Sequence, residues 1–216
     1  MDDSKKVQSF FVQRARAFDS YYSETEKNFL RKILDALLRA SMKRRLELTI
    51  QECRDMSGAG ILDVGCGSGR YAVALARLGA RQVTGVDFSQ PMIELARSLA
   101  KENGVENKCR FIIDDFKTRT FDGKFDICLA LGFFDYTREP QEYLKKMCLL
   151  TTGKIIATFP ARWRLRNIIR IIRLKVLGCP VYFYTPGEIK EILKAAAISR
   201  YSLQNIGRDY FLIAYP

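Results

Sequence analysis

The chain has 216 residues, 48% of them apolar, which suits one domain with a large core and added helices. No uninterrupted apolar run approaches the ~20 residues of a membrane span, and the opening Met1-Asp2-Asp3-Ser4-Lys5-Lys6 carries no signal pattern. With six scattered cysteines, no CxxC pair and no histidine, a zinc site is disfavoured and reduced thiols in the cytoplasm are expected. A net charge of +12 keeps nucleic acid among the partners to consider.

Residues from about Lys5 to Tyr22 and from Glu24 to Arg54 read as helices. Phe10, Phe11, Phe18, Tyr21 and Tyr22 fall at helical spacing, as do Phe29, Ile33, Leu37, Leu38 and Met42. Such stripes are packing surfaces. The first can also lie over a ligand pocket as a lid, with Tyr21 and Tyr22 meeting the ligand. Ser57-Gly58-Ala59-Gly60 is the linker between this cap, residues 1–57, and the domain at 58–216.

The stretch Ile61-Leu62-Asp63-Val64-Gly65-Cys66-Gly67-Ser68-Gly69 takes an apolar strand into three glycines at alternate positions, ahead of a helix from Tyr71 to Leu78. Glycine lets a backbone turn sharply against a ligand, and the N–H groups of the following helix make such a turn a nucleotide site. Val83 to Asp87 is the second strand. Its acid lies about 20 residues after the glycines, where nucleoside-binding folds place a carboxylate on ribose hydroxyls. Ser89 suits a helix N-cap, and that helix runs to about Asn103. Arg110 to Ile113 is a third strand, ending in Asp114-Asp115-Phe116. Phe125 to Leu131 is a fourth, ending in Gly132-Phe133-Phe134-Asp135-Tyr136. A helix from Pro140 to Leu150, a strand from Lys154 to Phe159 and a helix from Pro186 to about Ala197 follow. Two closing strands, Tyr201 to Ile206 and Asp209 to Tyr215, turn at Gly207-Arg208. Alternating strands and helices predict an α/β fold with a parallel sheet covered on both faces.

The glycine turn is not the GxGxxG of dinucleotide enzymes. It reads Asp-x-Gly-x-Gly-x-Gly, and an acid beside the glycines disfavours pyrophosphate but tolerates a zwitterionic, sulfonium-bearing ligand. On these motifs the region from Gly60 to Pro216 resembles the class I S-adenosylmethionine (SAM)-dependent methyltransferases. The resemblance implies a Rossmann-like seven-stranded sheet of order 3-2-1-4-5-7-6, with strand 7 antiparallel and a helical N-terminal cap. It also implies SAM as cofactor and S-adenosylhomocysteine as product. Gly65, Cys66, Gly67 and Gly69 would then cradle the cofactor, Asp63 would fix the loop or the ligand's amino group, and Asp87 would hold the ribose. Phe88 would pack on adenine, Asp115 (with Asp114 the competing choice) would meet the adenine amino group, and Phe116 would supply a backbone N–H. Leu131 and Gly132 would contribute backbone to the methionine moiety.

On the acceptor side, ubiquinone-biosynthesis and magnesium-protoporphyrin methyltransferases commonly carry a histidine in the loop after strand four. Here Asp135 stands in its place, as a general base or as the cap of the next helix, with Tyr136 beside it and Phe133 and Tyr184 as further pocket groups. The loop lacks the Asn/Asp-Pro-Pro-Tyr/Phe motif of nucleobase-amine methyltransferases and the double-glutamate loop of protein-arginine methyltransferases.

An insertion over residues 160–184 is similar to one in the magnesium-protoporphyrin family. It sets Leu165, Ile168, Ile169 and Ile172 on one helical face, with Arg162, Arg166, Arg170 and Arg173 along another. A basic amphipathic helix of this kind is a solvated packing element, a membrane-surface element or an anion-binding lid. The resulting expectation is methyl transfer to oxygen or carbon of a small, lipophilic or anionic acceptor. An RNA methyltransferase and a SAM-binding regulator without turnover are the alternatives.

Overall fold

The computed structural model describes residues 6, 7, 9, 10, 12, 29–162 and 180–216. Tyr21, Tyr22, Arg166 and the body of the basic insertion lie outside the described residues. A long helix, α1 (Phe29–Cys53), leads into β1 (Gly60–Val64), which is buried along its whole length. Strands covered on both faces read as continuous apolar runs, and β1 does so except at Asp63. The chain then alternates through α2 (Arg70–Arg77), β2 (Gln82–Asp87), α3 (Gln90–Glu102), β3 (Cys109–Ile113), β4 (Phe125–Ala130), α4 (Pro140–Leu150), β5 (Thr151–Pro160) and α5 (Pro186–Ala195). It closes with the hairpin β6 (Arg200–Asn205) and β7 (Asp209–Tyr215).

The sheet has seven strands in the order 3-2-1-4-5-7-6. β1 to β5 pair in parallel, whereas β7 runs antiparallel to both β5 and β6. Alternation along the strands divides the core into two layers. Ile61, Val83, Ile127 and Leu129 meet Ala72, Leu75 and Ile93 of α2 and α3 on one face. Leu62, Val64, Val86 and Cys128 meet Leu144, Met147, Ile189 and Leu193 of α4 and α5 on the other. Because β1 lies between β2 and β4, the chain leaves it in opposite directions along the sheet, and a crevice opens at the carboxyl ends of these strands.

Two helix starts differ in how they are capped. Ser89 holds the N-cap position of α3 but makes no capping bond, and its N–H donates instead to Asp87 Oδ1 at 2.9 Å. Thr185 forms a complete capping box with Glu188 at the start of α5. That helix ends two residues earlier than the periodicity suggests, at Ala195, with Ala197 at φ +59° closing the turn. α1 is fastened to the sheet by polar contacts. Arg45 Nε lies 3.4 Å from Asp209 Oδ2 with both side chains almost fully buried, and Ser41 Oγ donates to the same oxygen at 3.3 Å. Lys154 Nζ reaches the carbonyl and carboxylate of Glu52 near the other end of the helix.

Candidate active site

The glycine turn is held by the next strand. The N–H groups of Gly65 and Cys66 both donate to the Val86 carbonyl, at 2.8 and 3.1 Å, which swings the chain away from the sheet. Gly65 has φ +66°, and a Cβ there would sit 2.4 Å from Cδ2 of Phe133, so neither conformation nor space admits a side chain. Gly67 differs. Its φ is +52°, but a Cβ would meet nothing within 4 Å, so the backbone faces open space. Its N–H donates to Asp87 Oδ2 at 2.9 Å. With the Ser89 bond to Oδ1, the partly exposed Asp87 carboxylate ties the glycine turn to the start of α3. Burial raises the Asp87 pKa, and the two N–H donors oppose that rise.

Beneath the turn, Asp63 is 1% exposed, and its Oδ2 has no hydrogen-bond partner among the described residues. Burial first, and the neighbouring Asp87 carboxylate second, push its pKa up to about 8. Ser89 Oγ is also buried without a hydrogen-bond partner among the described residues. Buried polar atoms are rarely left unpaired, so two of them flanking an open, positive-φ backbone fit a polar ligand. Asp63, Gly67 and Asp87 are thus suited to a ligand carrying ammonium and hydroxyl donors, which SAM does at its amino group and ribose.

One strand outward, β3 ends beside Asp87, whose carbonyl accepts from the Asp114 N–H at 3.1 Å. Asp114 is paired with Arg119 at 2.8 Å, and that bond, with the Asp115 N–H, holds its carboxyl below the usual range. Asp115 Oδ1 accepts from the Lys117 N–H at 2.8 Å. Phe116 is buried, stacked on Tyr143 at 6.2 Å between centroids. Phe88 stands at the other side of Asp87, partly exposed.

On the opposite side, Leu131 is buried and Gly132 turns with φ +74°, its N–H donating to Thr158 Oγ1 at 2.8 Å. A Cβ on Gly132 would lie 2.9 Å from Nη1 of Arg45, so this buried arginine lies against the turn. Sequence reasoning missed Arg45, because one basic residue in a mixed-charge helix carries no pattern. Phe133, expected as an acceptor wall, packs over Gly65 and edge-on against Tyr143.

Asp135 is 3% exposed within a short 3-10 turn, Phe134–Tyr136. The N-cap of α4 is Glu139, so Asp135 is not the cap of that helix. Tyr136 is half-buried and packs in a cluster with Val7, Phe10, Phe88 and Val181. Val7 and Phe10 thereby bring the N-terminal segment onto residues at the ends of β2 and β4.

Two expected acceptor contacts have other roles. The Tyr184 hydroxyl is buried and donates toward the backbone carbonyls of Thr137 and Phe134, at 3.1 and 3.3 Å. Burial chiefly, with the nearby Asp135 carboxylate, pushes its pKa well above that of an ordinary phenol. It is a strut under the loop after β4, since a phenol has a single proton to donate. Arg162 is exposed, with Nη2 on Glu188 Oε1 at 2.6 Å and on the Phe183 carbonyl at 3.0 Å. Its charge is thus neutralised at the base of the insertion.

Residues 61–152 match the methyltransferase domain family. The ubiquinone biosynthesis O-methyltransferase of Actinobacillus pleuropneumoniae is 36% identical over 100 residues, covering 44% of this chain and 42% of that protein. The mitochondrial ubiquinone biosynthesis O-methyltransferase of Arabidopsis thaliana is 29% identical over 174 residues, covering 76% of this chain and 54% of its own. The chain thus spans about half the length of these curated relatives. Among solved structures, magnesium protoporphyrin IX methyltransferase from Synechocystis PCC 6803, with bound S-adenosylhomocysteine, superposes with a TM-score of 0.77 at 21% identity, over 99% of each chain. That degree of likeness speaks to the fold. Sheet order and structural likeness agree on a methyltransferase-type Rossmann-like fold, and residues 61–152 within it match the methyltransferase domain family.

Proposed function

We propose that this protein transfers the methyl group of SAM to oxygen or carbon of a small organic acceptor and releases S-adenosylhomocysteine. The observation that carries the cofactor reading is Asp87, whose two oxygens bind Gly67 and Ser89 N–H groups beside the open backbone of Gly67 and the unpaired Oδ2 of Asp63. When bound, the cofactor supplies an activated sulfonium methyl, so the protein's own work is to bind, align and exclude water. Holding reactants in line is worth up to ~7–11 kcal/mol of barrier. Asp87 orients the ribose, Asp63 pairs with the amino group, and the turns at Gly67 and Gly132 leave their backbone close to the ligand.

The cluster of Val7, Phe10, Phe88, Tyr136 and Val181 supports an acceptor with an apolar body. Asp135 and Tyr136 are the groups proposed to orient or deprotonate the acceptor. An acceptor already ionised, such as a carboxylate, needs no base. Arg166 and the basic face of the insertion would meet an anionic group, a part of the reading that rests on sequence. The net charge of +12 supports an RNA acceptor as the second reading. The free thiols of Cys53, Cys66, Cys109, Cys128 and Cys148 support a reducing, cytoplasmic location.

The deciding experiment incubates the protein with methyl-tritiated SAM and a cell extract, then separates organic-soluble and RNA fractions, with Asp87→Ala as the control. Label in the organic fraction, lost in the control, is expected. Label confined to RNA would overturn the acceptor class, and S-adenosylhomocysteine binding with no transfer to any fraction would favour a non-catalytic binder.

A further inference from the structure

Helix α4 runs behind the two loops that would hold the cofactor, and it sends one side chain to each. Tyr143 is stacked on Phe116, with planes 21° apart, and lies edge-on to Phe133 at 5.1 Å. Phe133 in turn covers Gly65. Three residues later on the same helix face, Lys146 extends along the Phe116 ring, with Nζ 5.0 Å from its centroid. There it donates to three carbonyl oxygens of a single turn: Phe116 at 2.7 Å, Lys117 at 3.1 Å and Arg119 at 2.5 Å. An ammonium has three N–H donors and no acceptor, so every donor is used.

This is not the usual state of a surface lysine. Fixing so flexible a side chain costs rotamer entropy, which its charge-assisted bonds to the three carbonyls offset. The carbonyls also need the cation, because three carbonyl dipoles converging on one point repel each other. The turn they belong to is the one that follows Asp115. Its backbone closes on that residue, since the Thr118 and Arg119 N–H groups donate to the Asp115 carbonyl at 3.2 and 3.0 Å. Sheet order says what this turn faces. β3 lies outside β2, so a ligand whose ribose is held at Asp87 and whose polar tail lies over β1 and β4 directs its nucleobase toward β3.

We propose that Lys146 is a positioning residue for the nucleobase half of the cofactor site, anchoring the 115–119 turn to α4 and thereby setting affinity for adenine. The proposal rests on the cofactor reading above. It predicts that losing the ammonium loosens one wall of the site and leaves the glycine turn and Asp87 as they are.

The test titrates wild type and Lys146→Met calorimetrically with two ligands. One is S-adenosylhomocysteine, and the other is S-ribosylhomocysteine, the same molecule without adenine. Loss of charge-assisted bonds predicts that affinity for S-adenosylhomocysteine falls about tenfold, whereas that for S-ribosylhomocysteine stays within about twofold. Equal losses for both ligands, or no loss for the first, would overturn the proposal; failure of wild type to bind S-adenosylhomocysteine would overturn the cofactor reading instead. Amide hydrogen exchange on the ligand-free protein gives an independent readout. Lys117, Thr118 and Arg119 should exchange faster in the variant while Gly65 and Cys66 do not, and unchanged exchange in that turn refutes the anchor. If Lys146→Met does not fold, Lys146→Gln, which keeps an N–H donor, is measured in the same way.

Discussion

Cofactor affinity should rise with pH, and Asp63 should be the reason. In the ligand-free protein, burial and the Asp87 charge set the Asp63 pKa at about 8. Its carboxyl is therefore about 1% ionised at pH 6 and about 10% ionised at pH 7. A cofactor ammonium pairs with the carboxylate and not with the acid, so binding must expel the proton that burial retains. Linkage then gives an affinity that climbs about tenfold from pH 6 to pH 7 and flattens near pH 8.

The same shift acts on folding with the opposite sign. The native state keeps a proton that the unfolded chain gives up near pH 4, so ligand-free stability falls as pH rises from about 4 towards 8. Calorimetric titration with S-adenosylhomocysteine in two buffers of different ionisation heat measures both affinity and proton release, which should approach one proton per site at pH 7. Asp87 is shifted in the same direction, so Asp63→Asn is the control that separates them. A flat profile in wild type, or an equally steep one in Asp63→Asn, would refute the assignment of Asp63 to the amino group.

Gly65→Ala should both weaken the fold and impair binding. A positive φ costs an alanine about 1–2 kcal/mol, and the new Cβ would press on Phe133 at 2.4 Å. Urea unfolding should therefore show a loss of about 2–4 kcal/mol, and an unaltered midpoint with normal S-adenosylhomocysteine affinity would contradict the packing described for this turn. Arg45→Met should leave the carboxylate of Asp209, only 1% exposed, with Ser41 as its remaining α1 partner among the described side chains. The expected cost is about 3–5 kcal/mol, partly recovered when Asp209→Asn is added, and a double-mutant cycle with no coupling would show that the pair does not fasten α1 to the sheet.

Much of the frame could be read from the chain itself. β1, α4 and β7 span the residues expected of them, because a buried parallel strand is a continuous apolar run and a helix start is written in proline and its neighbours. The glycine turn and the acid ending β2 were legible for a similar reason, since a positive φ and a strand-end carboxylate are local demands on residue type. What the sequence left open was the direction of each long or polar side chain.

Tyr184 was equally consistent with an acceptor contact, until the fold brought its hydroxyl to the carbonyl of Thr137, 47 positions away. Arg162 belonged to a basic stripe, until Glu188 neutralised it. Arg45, Phe133 and Lys146 gave no periodic signal, because their partners at Asp209, Gly65 and the turn after Asp115 come from separate segments. Periodicity records which face of an element is buried, and that is enough to specify the sheet. A hydrogen bond or ion pair depends on which distant group arrives at that face, and only the assembled tertiary structure decides it.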